Sequence, residues 1–204
     1  MSHAGESSSI YRLAFAVSSF GGLRLTAWRG EWASYFNPDI PLRFELQLGL
    51  PICLLVGTVV RKLNCQNLQV LQLESAEPLT TSLWVRLFGT LPLLTSIGIL
   101  QGERELFGAL VEPGGIPVHP EHTNTLCNTR TTLPFRALRI INVGRRSKLY
   151  SEEDLEFMLK CLRKRLDLRM GLTILSFCLD GGEGLKLQAN AFKEVVKVVK
   201  IYAK

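Results

Sequence analysis

Two histidines and a cysteine in one stretch are the groups best suited to metal chemistry in this sequence. His119 and His122 stand three residues apart, and Cys127 follows them. A structural zinc site takes four such ligands, usually in closely spaced pairs. Here Pro120 breaks any helix that would align the histidines, and no second pair of ligands follows. We therefore predict an ordinary polar loop and expect neither a metal nor another cofactor.

The other groups that could support catalysis do not combine into an active site. The turn Gly181–Gly184 lacks the GxxxxGK[ST] frame of a phosphate-binding loop. The carboxylates of Glu152–Asp154 follow Ser151, where an N-cap and an acidic first turn would stabilise a helix. The third histidine, His3, stands in a polar amino-terminal segment, so no base is left to activate a serine or cysteine. We predict that the chain is not an enzyme and has no small-molecule substrate.

Positive charge is concentrated in the last third of the chain. Residues 136–204 hold 15 Lys and Arg against 8 Asp and Glu, whereas residues 1–135 hold 9 against 10. The basic residues form three clusters: Arg145, Arg146 and Lys148; Arg163, Lys164, Arg165 and Arg169; and Lys193, Lys197, Lys200 and Lys204. One interpretation is a phosphate-binding face for nucleic acid or an anionic surface. We favour the solvated side of amphipathic helices, because the leucines of residues 155–166 keep helical spacing and no aromatic residues alternate with the charges.

Length and composition indicate a folded chain without a membrane anchor. Apolar residues make up 47% of the 204 residues and charged residues 21%, as in ordinary globular domains. The apolar run Leu46–Val60 contains Gln47, Gly49 and Pro51 and is shorter than the roughly 20 residues of a spanning helix. The five cysteines are scattered without a CxxC pair, which is typical of reduced thiols. We expect an intracellular protein of the cytoplasm or nucleus, with no signal peptide and no membrane span.

A short apolar pattern recurs along the chain and is its strongest signal. Each copy has apolar residues at its fourth and sixth positions, and a residue between them that is not large and apolar. This alternation predicts a strand with one buried face, and we place the residues at positions four and six in the core. Five copies are Phe20-Leu23-Leu25, Leu68-Leu71-Leu73, Leu94-Ile97-Ile99, Phe135-Leu138-Ile140 and Leu172-Leu175-Phe177, and a sixth is Arg43-Leu46-Leu48.

Helical patterns separate these copies. We predict helices over Ile52–Lys62, Thr80–Leu91, Glu103–Glu112 and Leu187–Lys197, a longer helix that Ser151 opens, and a final strand at Val198–Tyr202. Strand–helix units cannot bury their own apolar faces, so stacking predicts an α/β solenoid of the leucine-rich-repeat kind, with a mostly parallel sheet and helices on its convex side. We expect a disordered tail at 1–9, the solenoid over 10–204 and a long loop at 113–134. Ile10–Ser18 is interpreted as the end of a helix, so the chain is expected to begin partway through a longer solenoid.

The repeat region resembles that of a known family. Two segments are similar to the leucine-rich-repeat region of fungal F-box proteins: LQVLQLESAEPLTTSLWVRLFGTLPLLTSIGI, which begins at Leu68, and PFRALRIINVGRRSKLYSEEDLEFMLKCLRKR, residues Pro134–Arg165. The resemblance covers roughly residues 65–200. It implies a domain that recognises the protein substrate of a ubiquitin ligase. In that family a separate helical module, the F-box, docks the Skp-type adaptor, and no such module is found before residue 65.

Protein recognition is therefore the function that we predict. A curved parallel sheet offers a wide face whose residues are not needed for the core. Candidate contacts with an unidentified protein partner are the fifth-position residues Arg24, Gln47, Gln72 and Arg139. A Skp-type adaptor would bind only if an F-box precedes this sequence. The alternative, which we rank second, is a basic module that uses the carboxy-terminal third to bind nucleic acid or an anionic surface.

Overall fold

The structure is a computed structural model, and it describes most of the chain. The described residues are 10–17, 23–29, 42–46, 52–63, 65–74, 79–112, 133–146, 150–179 and 190–203. The predicted tail at 1–9 and nearly all of the predicted loop at 113–134 lie outside these residues.

One mixed sheet organises the described part of the chain. Its eight strands are β1 (Ile10–Val17), β2 (Leu23–Arg29), β3 (Leu42–Leu46), β4 (Val70–Glu74), β5 (Ser96–Ile99), β6 (Ile140–Arg146), β7 (Ile174–Leu179) and β8 (Val198–Ala203). They lie in the order β3-β2-β1-β4-β5-β6-β7-β8. The β1–β2 and β2–β3 pairings are antiparallel, and the other five are parallel. The prediction of an α/β fold with a mostly parallel sheet is confirmed.

Helices fill most of the connections between the parallel strands. They are α1 (Ile52–Lys62), α2 (Thr81–Phe88), α3 (Glu103–Ala109) and α4 (Glu152–Asp167). The side chains of Thr80 and Ser151 cap α2 and α4 by accepting hydrogen bonds from the amides of Leu83 and Asp154. The bounds of α1 are those predicted, whereas α2 and α3 end earlier than predicted. The helix predicted over Leu187–Lys197 is wrong at its end, because only 190–192 are helical in the described part and turns follow them.

The core is built from rows of apolar side chains that run across the parallel strands. Three rows contribute one residue from nearly every parallel strand or its entry: Ile10, Leu68, Leu94, Leu138, Leu172 and Val196; Leu13, Leu71, Ile97, Ile141 and Leu175; and Phe15, Leu73, Ile99, Val143 and Phe177. Each of these side chains is at most 5% exposed. Backbone hydrogen bonds join the residues just before and at the start of each parallel strand, in the same order across the sheet. The carbonyls of residues 11, 69, 95, 139 and 173 each accept from an amide at or just before the start of the next parallel strand. Each strand thus buries its apolar face against its neighbours.

This arrangement corrects the predicted alignment of one repeat copy. The prediction aligned Phe135-Leu138-Ile140 with the other copies, but the register pairs Ile97 with Ile141 and Ile141 with Leu175. The copy is therefore Leu138-Ile141-Val143, three residues later, and Ile140 is only half-buried on the opposite face. Phe135 misled the pattern because it is fully buried, although it lies in a left-handed turn (φ 56°) before the strand.

The amino-terminal predictions also need correction. Ile10–Val17 is a strand and not the end of a helix, because Leu13 and Phe15 alternate with Ala14 and Ala16. Its other face carries the small apolar residues Ala14 and Ala16 where a strand with one wet face has polar ones, so the alternation is hard to recognise in the sequence. The copies predicted around Leu25 and Leu46 lie in antiparallel β2 and β3, so they are not repeats of the parallel kind.

Most of the predicted core residues are buried. Leu25, Leu71, Leu73, Ile97, Ile99, Leu138, Leu175 and Phe177 are all inaccessible or nearly so. Ile140 is the exception, while Leu48 and the side chains of Leu23 and Leu46 lie outside the described part. No helix among the described residues is long and apolar enough to cross a membrane.

The corrected register of β6 can be tested with neighbouring isoleucines. Ile141→Ala removes a fully buried side chain and is expected to lower the free energy of unfolding by about 2–5 kcal/mol. Ile140→Ala, on the half-buried opposite face, is expected to cost clearly less. Urea unfolding of both variants measures the difference, and a larger loss for Ile140→Ala would contradict the register.

Candidate interaction surface

The face of the sheet opposite the apolar rows carries a second set of aligned residues. Between the buried positions of β4 to β8, the register places five residues side by side: Gln72, Gly98, Asn142, Ser176 and Lys200. We call them the polar row. Its members come from the strands that the core rows hold in register, so packing on one face fixes their order on the other.

A cleft of about 420 Å³ lies along the polar row. Its described lining belongs to strands and to the turns that follow them, and includes Gln72, Asn142 and Ser176 of the row. Leu100 and Tyr202 add apolar surface to it, and Glu74 adds a carboxylate. The cleft therefore offers both amide groups and apolar contacts to a ligand.

Gly98 keeps the middle of this cleft open. A β-carbon at this position would approach the Gln72 Cγ to 3.4 Å, an ordinary contact distance, and its next neighbours are 3.9 Å away or farther. The backbone therefore does not require glycine here, and a larger side chain would project into the cleft. Gly144 differs, because its β-carbon would come within 3.0 Å of the Ile99 carbonyl oxygen.

Arg12 orients the amide at the β4 end of the row. Its Nη2 donates to the Gln72 Oε1 at 2.9 Å. Because a guanidinium group only donates, this contact fixes which end of the Gln72 amide is oxygen. The NH2 end of that amide then provides donors for a ligand in the cleft.

The structure brings together only part of the predicted contact set. Gln72 lies in the polar row, and Arg24 is exposed on β2, where it pairs in register with Ala16 of β1. Arg139 lies before β6, and its Nη1 donates to the carbonyls of Arg136 and Leu138 at 3.1 and 2.9 Å. Its guanidinium thus folds back onto its own turn. Gln47 lies outside the described residues.

Sequence reasoning missed several residues of this face. Asn142 takes the fifth position once the β6 copy is moved by three residues, and the pattern Val196-Val199-Ile201 would have placed Lys200 there. Treating Ile10-Leu13-Phe15 as another copy would have placed Ala14 at the fifth position and Arg12 on the same face, two residues earlier. The signal was present in each case, but the long insertion before β6 and the helical interpretation of β1 concealed it.

The basic cluster predicted around α4 is not one continuous surface. Arg163 approaches Glu194 to 3.7 Å, and the Lys164 ammonium donates to the Val111 carbonyl at 3.4 Å. Arg165 is fully buried. The charges of α4 therefore face different surroundings, which weakens the case for a phosphate-binding helix.

The guanidinium group of Arg165 donates hydrogen bonds to four backbone carbonyls. Its Nη1 lies 3.3 and 3.2 Å from the oxygens of Leu110 and Pro134, and its Nη2 lies 2.9 Å from that of Phe135. Its Nε donates to Met170 at 3.2 Å. Burial, with a smaller contribution from the charge of Arg139, lowers the pKa of Arg165 to about 10. The side chain remains charged at neutral pH and ties the ends of α3 and α4 to the entry of β6.

A second polar cluster joins the starts of α3 and α4. The Tyr150 hydroxyl donates to the Glu103 Oε1 at 3.2 Å, and Glu103 is 3% exposed. Arg104 binds Glu153 and Asp154 at 3.1 and 3.2 Å, and its guanidinium lies 4.9 Å from the centre of the Phe157 ring. Because the side chains of this cluster bind one another across α3 and α4, we interpret it as a structural link between the two helices.

Metal and thiol chemistry find little support in the described residues. These residues contain no group of three or more His, Cys, Asp or Glu side chains that could hold a metal ion. His119, His122 and Cys127 lie outside them, as does the turn Gly181–Gly184. Cys65 and Cys161 are buried free thiols, and burial raises the pKa of each.

The role of Arg165 can be tested by comparing two arginines of α4. Arg165→Met removes the guanidinium donors of four backbone carbonyls and is expected to lower the free energy of unfolding by about 3–5 kcal/mol. Arg163→Met removes an exposed ion pair and is expected to cost less than about 1 kcal/mol. Equal urea midpoints for the two variants would show that the hydrogen bonds between Arg165 and the carbonyls do not stabilise the fold.

Thiol labelling tests the environments of Cys65 and Cys161. Because burial raises their pKa values, less thiolate is present at pH 8 than in the unfolded chain. Iodoacetamide should therefore modify both slowly in the native protein, and faster as the pH rises. Peptide mapping by mass spectrometry measures each rate, and native rates equal to those in urea would contradict this expectation.

Comparison of the chain with known proteins found no match. No protein-family model, curated protein or solved structure matches it. The feature that bears on function is the face of the sheet opposite the apolar rows, which carries the polar row and which we call the open face.

Proposed function

We propose that this chain is a leucine-rich-repeat-type solenoid domain that recognises a protein partner on the open face of its sheet. The observation that carries the proposal is the polar row, in which Gln72, Asn142 and Lys200 alternate with the small residues Gly98 and Ser176 across five strands. The apolar rows lie on the other face, so the core does not need the larger side chains of this row; Ser176, which is 5% exposed, is its one buried member.

Shared burial between neighbouring strands supports the solenoid. Adjacent strands lie about 4.8 Å apart, whereas packed helices need about 8–10 Å. A layer of helices on one face of such a sheet therefore curves it, with the helices on the convex side. The polar row then lies along the concave face, where one partner can contact several repeats.

The chemistry of the open face favours a polypeptide over a nucleic acid. Amide side chains can donate to and accept from a peptide backbone, and Leu100 and Tyr202 provide apolar contacts in the same cleft. A carboxylate, Glu74, lines the cleft and would repel phosphate groups. Among the basic residues of α4, Arg165 is buried and Arg163 lies 3.7 Å from Glu194, so fewer of them are available to phosphate groups.

The resemblance to fungal F-box proteins gives this recognition a specific setting. In that setting the repeat domain holds a substrate for ubiquitin transfer, while the separate F-box contacts the Skp-type adaptor. We therefore assign to this chain the substrate-recognition repeat region of an F-box-type ubiquitin-ligase receptor. This region should bind the substrate, and a Skp-type adaptor should bind only if an F-box precedes this sequence.

Filling the cleft is the direct test of the proposed function. Gly98→Arg places a long side chain in the cleft, and the space around the β-carbon predicts that the fold tolerates it. Thr58→Arg adds the same side chain at an exposed position of α1 and serves as the matched control. Affinity capture from a fungal extract, with chemical cross-linking, should recover a protein with the wild type and the control and lose it with Gly98→Arg.

Two results would contradict the proposal. A partner that is captured equally by a folded Gly98→Arg variant does not use the cleft. Capture of nucleic acid, with binding that weakens steeply as salt increases, would favour the basic module instead. Thermal unfolding of each variant confirms that a loss of capture is not a loss of fold.

A further inference from the structure

The strand β8 lies at one edge of the sheet. In the order of the described strands its single neighbour is β7, and the two pair in parallel from Ile174 and Val198 onwards. An edge strand presents a line of backbone donors and acceptors that another extended chain can pair with. The outer edge of β8 can therefore pair with a chain in an extended conformation.

The hydrogen bonds show which residues of β8 face outward. The Val198 amide donates to the Thr173 carbonyl at 2.9 Å, so Val198 directs its backbone groups towards β7. Backbone groups alternate along a strand, and in this parallel pairing Lys200 and Tyr202 also face β7. The amides and carbonyls of Val199 and Ile201 therefore point away from the sheet.

The side chains of β8 are unusually apolar for an edge. On the open face Val198 is 41% exposed and Tyr202 is 52% exposed. On the face of the apolar rows Val199 and Ile201 are half-buried, whereas their counterparts in β7, Leu175 and Phe177, are at most 1% exposed. A strand added beside β8 would cover part of its exposed side chains on both faces of the sheet. Its residues on the face of the apolar rows would have to be apolar.

Charge determines which extended chain fits. In the described segment 190–203 the lysines Lys193, Lys197 and Lys200 are exposed, and the one acidic side chain, Glu194, lies 3.7 Å from Arg163. A second copy paired through β8 would bring the same lysines beside these, and like charges on adjacent strands are destabilising. An acidic segment would instead place carboxylates next to Lys197 and Lys200.

We propose that β8 binds an extended, acidic segment of another protein by strand addition. The segment alternates apolar residues, which pack beside Val199 and Ile201, with acidic residues on the open face beside Lys200. This site adjoins the cleft around Gly98, because Tyr202 also lines the cleft and Lys200 belongs to the polar row. It uses the outward backbone of β8 and does not depend on the proposed function of the cleft.

A synthetic peptide as long as β8 that alternates valine and glutamate is the first probe. Labelled with a fluorophore, it should bind the full chain in an anisotropy titration, and a peptide alternating valine and lysine should not. The double variant Lys197→Glu/Lys200→Glu should reverse this preference. No saturable binding of the acidic peptide, or equal binding of both peptides, overturns the proposal.

Two variants at one position separate backbone pairing from side-chain packing. Ile201→Pro removes an outward amide without removing a bond to β7, and proline is tolerated in edge strands where its nitrogen faces solvent. It should weaken binding of the acidic peptide at least roughly tenfold. Ile201→Ala shortens the same side chain but keeps the amide, so it should bind more tightly than Ile201→Pro.

Equal binding by Ile201→Pro and Ile201→Ala would show that no strand is added at β8. Circular dichroism of both variants confirms that the sheet is retained. Light scattering of the wild type provides a further check. A dimer that Ile201→Pro abolishes would assign the edge to a second copy of this chain and overturn the proposal.

Discussion

Shared burial is the constraint on which this structure depends. A strand of the series contributes only one or two side chains to the innermost part of the core, as Leu71 and Leu73 of β4 do. Such a strand cannot exclude water alone, because its apolar face is too small and too flat. Neighbouring strands complete the same rows, and backbone bonds at the strand entries keep those rows aligned. Every residue on the open face takes its position from this alignment.

Arg165 compensates for the place where the series is most irregular. The long insertion between α3 and β6 leaves Phe135 in a left-handed turn, and Arg169 lies in a similar turn (φ 59°) before β7. Backbone carbonyls in such turns cannot all be paired within regular structure. Arg165 donates to the carbonyl of Met170, which follows Arg169, and to that of Phe135, which also accepts from the Leu138 amide at 3.1 Å. These hydrogen bonds of Arg165, together with those to the carbonyls of Leu110 and Pro134, offset the unfavourable burial of its charge.

The sequence predicts what depends on local periodicity and fails where a local pattern has two solutions. Helix α1, the cap Ser151 and the strand β8 follow from spacing, capping and β-branched residues, which act within a few positions. The β6 alignment fails because Phe135 and Leu138 are both buried, and only pairing with β5 and β7 decides which one opens the copy. Gln72 was found because its copy is regular. Asn142 was not, because the same misalignment assigned its position to Arg139.

The four carbonyl bonds of Arg165 also bear on how the molecule unfolds. In an array whose units contact only their neighbours, segments on either side of a weak junction can melt separately. The residues between α3 and β6 interrupt the regular succession of units, and such a junction would be expected to divide the unfolding transition. Arg165 spans it from α4, with partners at Leu110 before the interruption and at Pro134 and Phe135 after it. Together with the direct pairing of β5 with β6, this side chain connects the two parts of the sheet, and we expect both contacts to favour a single unfolding transition.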